Sequence, residues 1–231
     1  MILAAHQPQY LPWLGYLDKI DRADVFVLLD RVQFKKNEWQ NRNRIKRRGG
    51  WHWLTVPVRH RFPQSLHEVE IADQRWRRKH RRSLDVAYGQ AAHFEHEAGL
   101  MDAVFQREWS DLLGVNIKTI RHLTQRFGIE TPMVLASDFD EPAKCGADER
   151  LISLCRLLNA DTYLAGAGGR DYMDLSRWKR AGIRVEFQAF EHPVYPQLYG
   201  SFTAGLSAVD LLFNCGSAGF ARVRRRRKEA A

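Results

Sequence analysis

The residues best suited to chemistry in this sequence are a histidine and an aspartate that each follow a short apolar run. His6 follows Ile2 to Ala5, and Asp30 follows Val25 to Leu29. Apolar runs of this length predict buried strands, and two of them joined by a helix predict adjacent parallel strands. Ligands in open parallel sheets bind beyond the carboxyl ends of the strands, so His6 and Asp30 are predicted to face a binding site.

That placement gives the pair a chemical role. The Asp30 carboxylate is expected to hold one ring nitrogen of His6, so that the other nitrogen serves as a general base near neutral pH. The alternative without catalysis stays open, because a histidine or an aspartate that follows a strand can also cap a turn.

The turn after His6 supplies candidate substrate contacts. It contains Gln7, Gln9 and Tyr10, and the last two lie between Pro8 and Pro12. Each proline fixes its own φ angle and lacks a backbone donor, so we expect the turn to be stiff and to position these side chains.

A polar segment after Asp30 offers further binding groups. It contains Gln33 and runs through Asn41, Arg42 and Asn43 to a glycine pair, which predicts a turn. Amide and guanidinium groups bind carboxylate or phosphate oxygens, which makes these residues candidates for ligand binding. The alternative is a solvated hairpin.

A glycine-rich turn follows a later apolar run, Thr162 to Ala165. Backbone amides in such a turn can close on a phosphate or a carboxylate. The turn lacks the lysine of a P-loop and the spacing of a dinucleotide motif. Its candidate pocket residues are Gly168, Arg170, Asp171 and Tyr172.

Three residues nearer the carboxyl terminus are also available for chemistry. His192 and Tyr195 are candidates for substrate contact. Cys215 is a less favoured candidate for an acyl-accepting nucleophile, because no partner histidine lies near it in sequence.

His93 and His96 are three residues apart, but without further ligands nearby no metal site is predicted.

Several segments resemble the WbqC-like family of bacterial proteins. They are HQPQYLPWLGYLDKI, ADVFVLLDRVQF and WQNRNRI, followed in the same order by WLTVPV, DTYLAGAGGRDYMD and HPVYPQLYGSFTAGLSAVDLLFNCG. The resemblance spans nearly the whole chain. It favours ligand binding by the polar segment around Asn41 and Arg42. It also implies an association with O-antigen and other surface-polysaccharide gene clusters, and the transfer of glycine or another acyl group to an amino sugar.

Length and composition set the organisation of the chain. With 231 residues, 45% of them hydrophobic, the chain can bury a core of its own. We expect one α/β domain over 1–221, with a mostly parallel sheet flanked by helices and a helical segment inserted at about 74–127. No apolar stretch could span a bilayer and no signal peptide is evident, so we expect a cytoplasmic protein without membrane insertion. The cysteines are Cys145, Cys155 and Cys215, an odd number, and we expect free thiols.

The net charge of +9 is unevenly distributed. Basic clusters at Arg42 to Arg48, Arg75 to Arg82 and Arg222 to Lys228 would attract phosphates, nucleic acid or an acidic carrier protein. The last cluster lies in a basic tail, 222–231, which we expect to be a frayed terminus.

The leading hypothesis is an acyl or aminoacyl transferase that acts on the amino group of a sugar or sugar nucleotide. His6 would be the general base, and no tightly bound cofactor is expected. The donor would be a coenzyme A thioester, a carrier-protein thioester or an aminoacyl-tRNA. One alternative is a nucleotidyltransferase that binds a nucleotide at the corner formed by His6 and Asp30. Another is a noncatalytic basic binding protein, although nucleic acid is not a favoured partner because the aromatic residues fall mostly at predicted core positions.

Overall fold

The computed structural model describes residues 1–97, 99–140 and 146–229. In chain order, its strands are β1 (Ile2–His6), β2 (Val25–Leu28), β3 (Arg42–Arg47), β4 (Gly50–Thr55), β5 (Val58–Arg59), β6 (Glu70–Ile71), β7 (Met133–Leu135), β8 (Thr162–Ala165) and β9 (Arg184–Phe187). Its helices are α1 (Leu14–Asp21), α2 (Arg75–Tyr88), α3 (Gly99–Phe105), α4 (Leu112–Arg126), α5 (Ala147–Leu157), α6 (Leu175–Arg180), α7 (Val209–Cys215) and α8 (Ala221–Glu229).

A five-stranded parallel sheet forms the centre, in the order β7-β2-β1-β8-β9. The chain starts in the middle, adds strands on one side, and then returns to add β8 and β9 on the other side. The predicted α/β class with a mostly parallel sheet is confirmed. In particular, β1 and β2 are parallel neighbours in which His6 pairs with Leu28.

Alternate residues of the central strands enter two separate apolar cores, one on each face of the sheet. Leu3 and Ala5 pack in the core that α5 and α6 complete. Ala4, between them in β1, packs in a larger core with α1, α2, α4 and α7. Because both faces are covered, the strands are continuously apolar, and this is why the sequence pattern revealed them.

Helices cover the sheet face that carries the larger core. The ends of α4 follow local capping rules. α4 begins after Asp111, whose carboxylate accepts the Gly114 N–H at 2.7 Å. It ends before Gly128, which has a φ of 61° and is the predicted glycine terminator. α2, α3 and α4 form the helical segment predicted at about 74–127.

The polar segment after Asp30 ends in a hairpin, as in the alternative interpretation, but the hairpin is partly buried and not simply solvated. β3 and β4 pair as an antiparallel hairpin, with Arg47 opposite Gly50 at its tip. Ile45 and Leu54 of this hairpin are buried in the larger core. Because charged residues flank Ile45 in the sequence, the alternation of buried and exposed positions in β3 was not recognised.

The basic tail is not a frayed terminus, which corrects our expectation. Residues 222–229 of the tail lie in α8, where Val223 is buried and Arg224 and Arg227 pair with acidic residues of α1. The Arg227 guanidinium lies 2.7 Å from the Asp18 carboxylate, which is itself 2% exposed. Two ion-paired arginines and a buried valine therefore fix this end of the described chain to the first helix.

Two further observations bear on the sequence expectations. No helix in the described ranges is both long and apolar enough to cross a membrane. Cys155 is buried in the smaller core, where burial raises its pKa to about 12, and Cys215 is half-buried with a raised pKa. A high pKa disfavours the thiolate, so neither thiol is activated as a nucleophile. Cys145 lies outside the described residues.

Candidate active site

A cavity of about 430 Å³ opens at the carboxyl ends of β1 and β8, where the strand order reverses. This is the place where open α/β sheets bind ligands. Its polar wall includes His6, Gln7, Lys19, Arg150 and Tyr172, and its apolar wall includes Leu29, Val32, Leu151 and Met173.

A second cavity of about 330 Å³ adjoins the first and shares four of its residues. The shared residues are His6, Lys19, Gly166 and Gly168. Its remaining wall is rich in aromatic groups and includes Trp13, Tyr16, Gln188 and Phe190. The histidine and the lysine therefore lie between two spaces, and each space can hold a different part of a ligand or a different substrate.

His6 is a neutral base candidate with a defined tautomer. Its Nδ1–H donates to the Gln7 carbonyl at 3.1 Å, which leaves Nε2 with a free lone pair. The ring also makes an edge contact with Tyr16, with centroids 5.2 Å apart. Burial and then the positive charge of Lys19 lower the His6 pKa from 6.5 to about 4. The imidazole is therefore uncharged near neutral pH.

Lys19 is a site residue that the sequence analysis did not identify, because lysine side chains are mostly exposed in folded proteins. The side chain is instead buried, and its Nζ donates to the Ala5 carbonyl at 2.9 Å. Nζ also lies 5.9 Å from the centroid of the Tyr163 ring. Burial lowers the Lys19 pKa from 10.5 to about 7, so the amine and ammonium forms are both populated near neutral pH. No local signal marked this residue, because an eight-residue helix has too few turns for its pattern to indicate which face is buried.

Asp30 does not orient His6, which corrects the predicted pairing. Its carboxylate is buried and accepts the Ser137 N–H at 3.0 Å, so it organises the segment after β7. The imidazole of His6 is oriented by its hydrogen bond to the backbone carbonyl of Gln7. Asp30 stays at the end of β2 as predicted, but its side chain faces a different strand.

The turn residues divide between the cavity and the core. Gln7 lines the cavity, and its Oε1 accepts from Gln40 Nε2 at 2.8 Å. Gln9 is buried, and its Oε1 has no hydrogen-bond partner among the described residues. Tyr10 is fully buried, and its hydroxyl bonds to His80 Nδ1 at 2.9 Å, so the prediction that it contacts substrate is wrong.

The amides of the β3–β4 region serve the structure of the site and do not line it. Asn43 is fully buried, and its Nδ2 donates to the Leu11 carbonyl at 2.7 Å. That bond holds the turn after His6, where Leu11 has a left-handed φ of 43°. Asn41 is also buried and donates to the Val56 carbonyl at 3.1 Å. The predicted ligand contacts by Asn41 and Asn43 are therefore wrong, because both buried side-chain amides donate hydrogen bonds to backbone carbonyls.

Gln33 and Arg42 lie outside the two cavities as well. Gln33 Nε2 donates to the neighbouring Phe34 carbonyl at 3.0 Å. The Arg42 guanidinium stacks over Trp53 at 4.1 Å from the ring centroid. Both side chains therefore contact other parts of the protein, and neither lines the cavities where a ligand was predicted to bind.

The glycine-rich turn after β8 reaches the cavity with some of its predicted residues. Gly168 lines both cavities, and Tyr172 lines the larger one with its side chain 71% exposed. Arg170 is exposed and stacks over Phe187 at 4.8 Å, and Asp171 is exposed. Among the four predicted residues, Gly168 and Tyr172 line the cavity and the other two do not.

His192 and Tyr195 are held in a separate cluster. His192 Nδ1 donates to the Pro193 carbonyl at 3.0 Å, and its ring packs near Phe202. Tyr195 is buried and donates its hydroxyl to Asp210 at 2.9 Å. The predicted substrate contact by Tyr195 is wrong, because its polar atom closes an internal network.

Metal chemistry has no evident place in the described residues. No three histidine, cysteine, aspartate or glutamate side chains among them approach closely enough to hold an ion together. The polar groups that line the two cavities are an imidazole, an amine, a guanidinium, side-chain amides and tyrosine hydroxyls.

The strand order and the position of the cavities place the chain among the open, doubly wound α/β proteins. Within that class, the chain belongs to the WbqC-like protein family, whose family model matches residues 7–221. An uncharacterized protein from Mycobacterium tuberculosis is 35% identical over 219 residues, which cover 93% of this chain and 94% of that one. No solved structure gives a significant match.

Proposed function

We propose that the protein is an acyl or aminoacyl transferase, with glycyl transfer included, that acts on the amino group of a sugar or sugar nucleotide. The observation that carries the proposal is the position of His6 and Lys19 between two adjoining cavities at the strand ends. A transferase needs two substrates to meet at one proton-transfer group, and this arrangement supplies the group and two spaces.

The proposed reaction begins with the acceptor amine attacking the carbonyl carbon of a thioester or ester. A carbon–nitrogen bond forms, the bond to the leaving sulfur or oxygen breaks, and the amine loses a proton to His6 Nε2. Because the His6 pKa is about 4, the imidazolium returns that proton readily to the leaving group. The Lys19 ammonium provides positive charge in the same space while the carbonyl oxygen becomes negative.

The shapes of the two cavities suggest how the substrates divide. Trp13 and Phe190 form an edge-to-face pair, with centroids 5.2 Å apart, in the smaller cavity. Aromatic faces pack well against the C–H surface of a sugar ring, which favours the acceptor there. The larger cavity, whose wall includes Leu29, Val32 and Leu151, then takes the acyl group. Coenzyme A, a carrier protein or charged tRNA would be the donor, and the basic surface of the protein would attract each of them.

Incubation with a panel of acyl donors and amino-sugar nucleotides, followed by mass spectrometry, tests the proposal. His6→Gln is expected to lower product formation by about 100-fold, because a glutamine amide cannot accept the proton. His67→Gln is the matched control, since His67 is exposed on the surface. Equal product formation by His6→Gln and the unaltered protein would refute the assigned base. Absence of product across the panel would count against amine acylation.

A second candidate is nucleotidyl transfer in surface-polysaccharide biosynthesis or a related pathway. It is favoured by one observation, the glycine-rich segment at Gly166 and Gly168 that meets both cavities beside a buried cation. The space where a Cβ of Gly168 would stand is open, with no atom within 4 Å. A phosphate group can therefore approach the backbone closely at this glycine. Release of pyrophosphate from a nucleoside triphosphate, without acyl transfer, would favour this candidate.

A further inference from the structure

The Lys19 ammonium lies in a cavity wall that contains no acidic counterpart. Among the described residues that line the two cavities, none is aspartate or glutamate. Among the described residues, Nζ donates one hydrogen bond, to the Ala5 carbonyl, whereas an ammonium group carries three donors. The wall therefore supplies positive charge and unused donors to whatever enters the cavity.

The carboxylates on the same helix are engaged elsewhere. Asp18 pairs with Arg227 at 2.7 Å and also accepts from Gln188 Nε2 at 2.7 Å. Asp21 accepts from Arg224 and Arg227 at 2.6 and 2.8 Å. The acids of α1 are thus neutralised by α8, and the charge of Lys19 remains for the cavity.

Burying an ammonium ion without a counter-ion costs free energy, which the low pKa of about 7 records. A ligand anion at this position would remove that cost. We propose that the site binds its substrate through an anionic oxygen group, phosphoryl or carboxylate, that the Lys19 ammonium holds. The inference rests on the site of the proposed function and deepens it, because it requires one substrate to be an anion.

The surroundings of Lys19 also constrain the rest of this ligand. The larger cavity is walled by Leu29, Val32, Leu151 and Met173, and Tyr172 stands exposed at its edge. A ligand that fits has an anionic group at Lys19, an uncharged body against the apolar wall and a planar group that can stack on Tyr172. A sugar nucleotide and an acyl donor that carries a phosphate both meet this description.

Binding is expected to take up a proton. The charged and titratable groups that face Lys19 or the same cavity are His6 on β1, Tyr163 on β8, Arg150 on α5 and Tyr172 after β8. None of these groups is a carboxylic acid. Above pH 7 the free protein holds Lys19 mostly as the amine, whereas the complex holds the ammonium, so the proton comes from solvent.

Isothermal titration calorimetry with the whole protein tests the inference. The probes are inorganic pyrophosphate, uridine diphosphate and butyrate, each titrated at about pH 8.5 in two buffers of different ionisation enthalpy. We expect a bound probe to take up ~1 proton, and Lys19→Met to weaken its binding by at least about tenfold. Lys118→Met is the matched control, because Lys118 lines a different cavity on α4.

The probes separate the two sources of the anion. Binding of pyrophosphate or uridine diphosphate with these features assigns a phosphoryl group, and binding of butyrate alone assigns a carboxylate. Unchanged affinity of Lys19→Met for the bound probe overturns the inference, and so does the failure of all three probes to bind at about 10 mM. Circular dichroism melting confirms that Lys19→Met is folded, and we expect its melting point to be no lower, since methionine buries no charge.

The outcome is distinguishable from that of the proposed function. Lys19-dependent anion binding without acyl transfer would keep this inference and remove the transferase proposal. Acyl transfer between uncharged substrates, with binding unaffected by Lys19→Met, would do the reverse.

Discussion

Lys19 and His6 lie together at the carboxyl end of β1. The Lys19 Nζ donates a hydrogen bond to the carbonyl of Ala5, the residue directly before the histidine. Thirteen residues separate the two in sequence, and α1 folds back over β1 to bring them together. The positive charge of the lysine helps to keep the imidazole neutral, and both side chains face the same two cavities. A neutral proton acceptor beside a cation is the chemical unit from which the proposals start.

Filling the larger cavity is expected to abolish ligand binding without unfolding the protein. Leu151 lines the cavity from α5, so Leu151→Trp places a bulky ring in the ligand space. Leu157 lies on the same helix with its side chain 48% exposed, and Leu157→Trp is the control. The measurement is the rise in melting temperature produced by any ligand that stabilises the unaltered protein. A full rise in Leu151→Trp would show that ligands bind elsewhere.

Stability is expected to fall in mild acid because of His80. Its ring is buried against Tyr10, and burial lowers its pKa from 6.5 to about 3. Between these two values the unfolded chain binds more protons than the folded one, so the free energy of unfolding decreases as pH falls. From about pH 7 to about pH 5 this single group is expected to remove about 2 kcal/mol.

Urea denaturation at a series of pH values checks this effect. His80→Phe should reduce the pH dependence, and His67→Gln, at an exposed histidine, should leave it unchanged. The buried His6 titration has the same sign and accounts for part of the dependence that remains. An unaltered slope in His80→Phe would contradict the assignment.

The junction of the first and last helices is expected to contribute strongly to stability. Arg227→Met leaves the buried Asp18 carboxylate without its cation, and we expect a loss of about 3 kcal/mol in the free energy of unfolding. Arg225→Met changes an exposed residue of the same helix and should cost less than about 0.5 kcal/mol. Equal effects in urea denaturation would mean that α8 is held by its general charge and not by this pair.

A glycine in α1 is expected to be intolerant of a methyl group. A Cβ at Gly15 would overlap the ring of Trp13, which covers the helix at that point. Gly15→Ala must therefore push the indole toward the smaller cavity, at a cost of about 1 to 3 kcal/mol. Gly168→Ala serves as the comparison for stability, because a Cβ there meets open space. Tryptophan fluorescence and urea denaturation report the two expected changes, and a silent Gly15→Ala would argue against the packing.

Much of the architecture was available from local patterns. β8 was predicted at the bounds it has, Thr162–Ala165, because a strand buried on both faces is continuously apolar and ends at a glycine-rich turn. The same reasoning placed His6 and Asp30 at the ends of neighbouring parallel strands, where they lie. These features depend only on residues close together in sequence.

The direction in which side chains face was decided by contacts that no local pattern contains. Asp30 lies at the predicted strand end but binds Ser137, because β7, about a hundred residues later, packs on the far side of β2. Tyr10 lies in the predicted turn but is buried, because α2 brings His80 over it.

The sequence alone thus determined a parallel α/β sheet, its family and a histidine at the edge of the sheet where the cavities open. The tertiary structure alone decided that Lys19 joins this histidine while Asp18 is covered. The physical reason is that burial depends on what packs over a residue. Here the covering group, Arg227 of α8, comes from the opposite end of the chain, and an eight-residue helix has too few turns for its own pattern to indicate which face is covered.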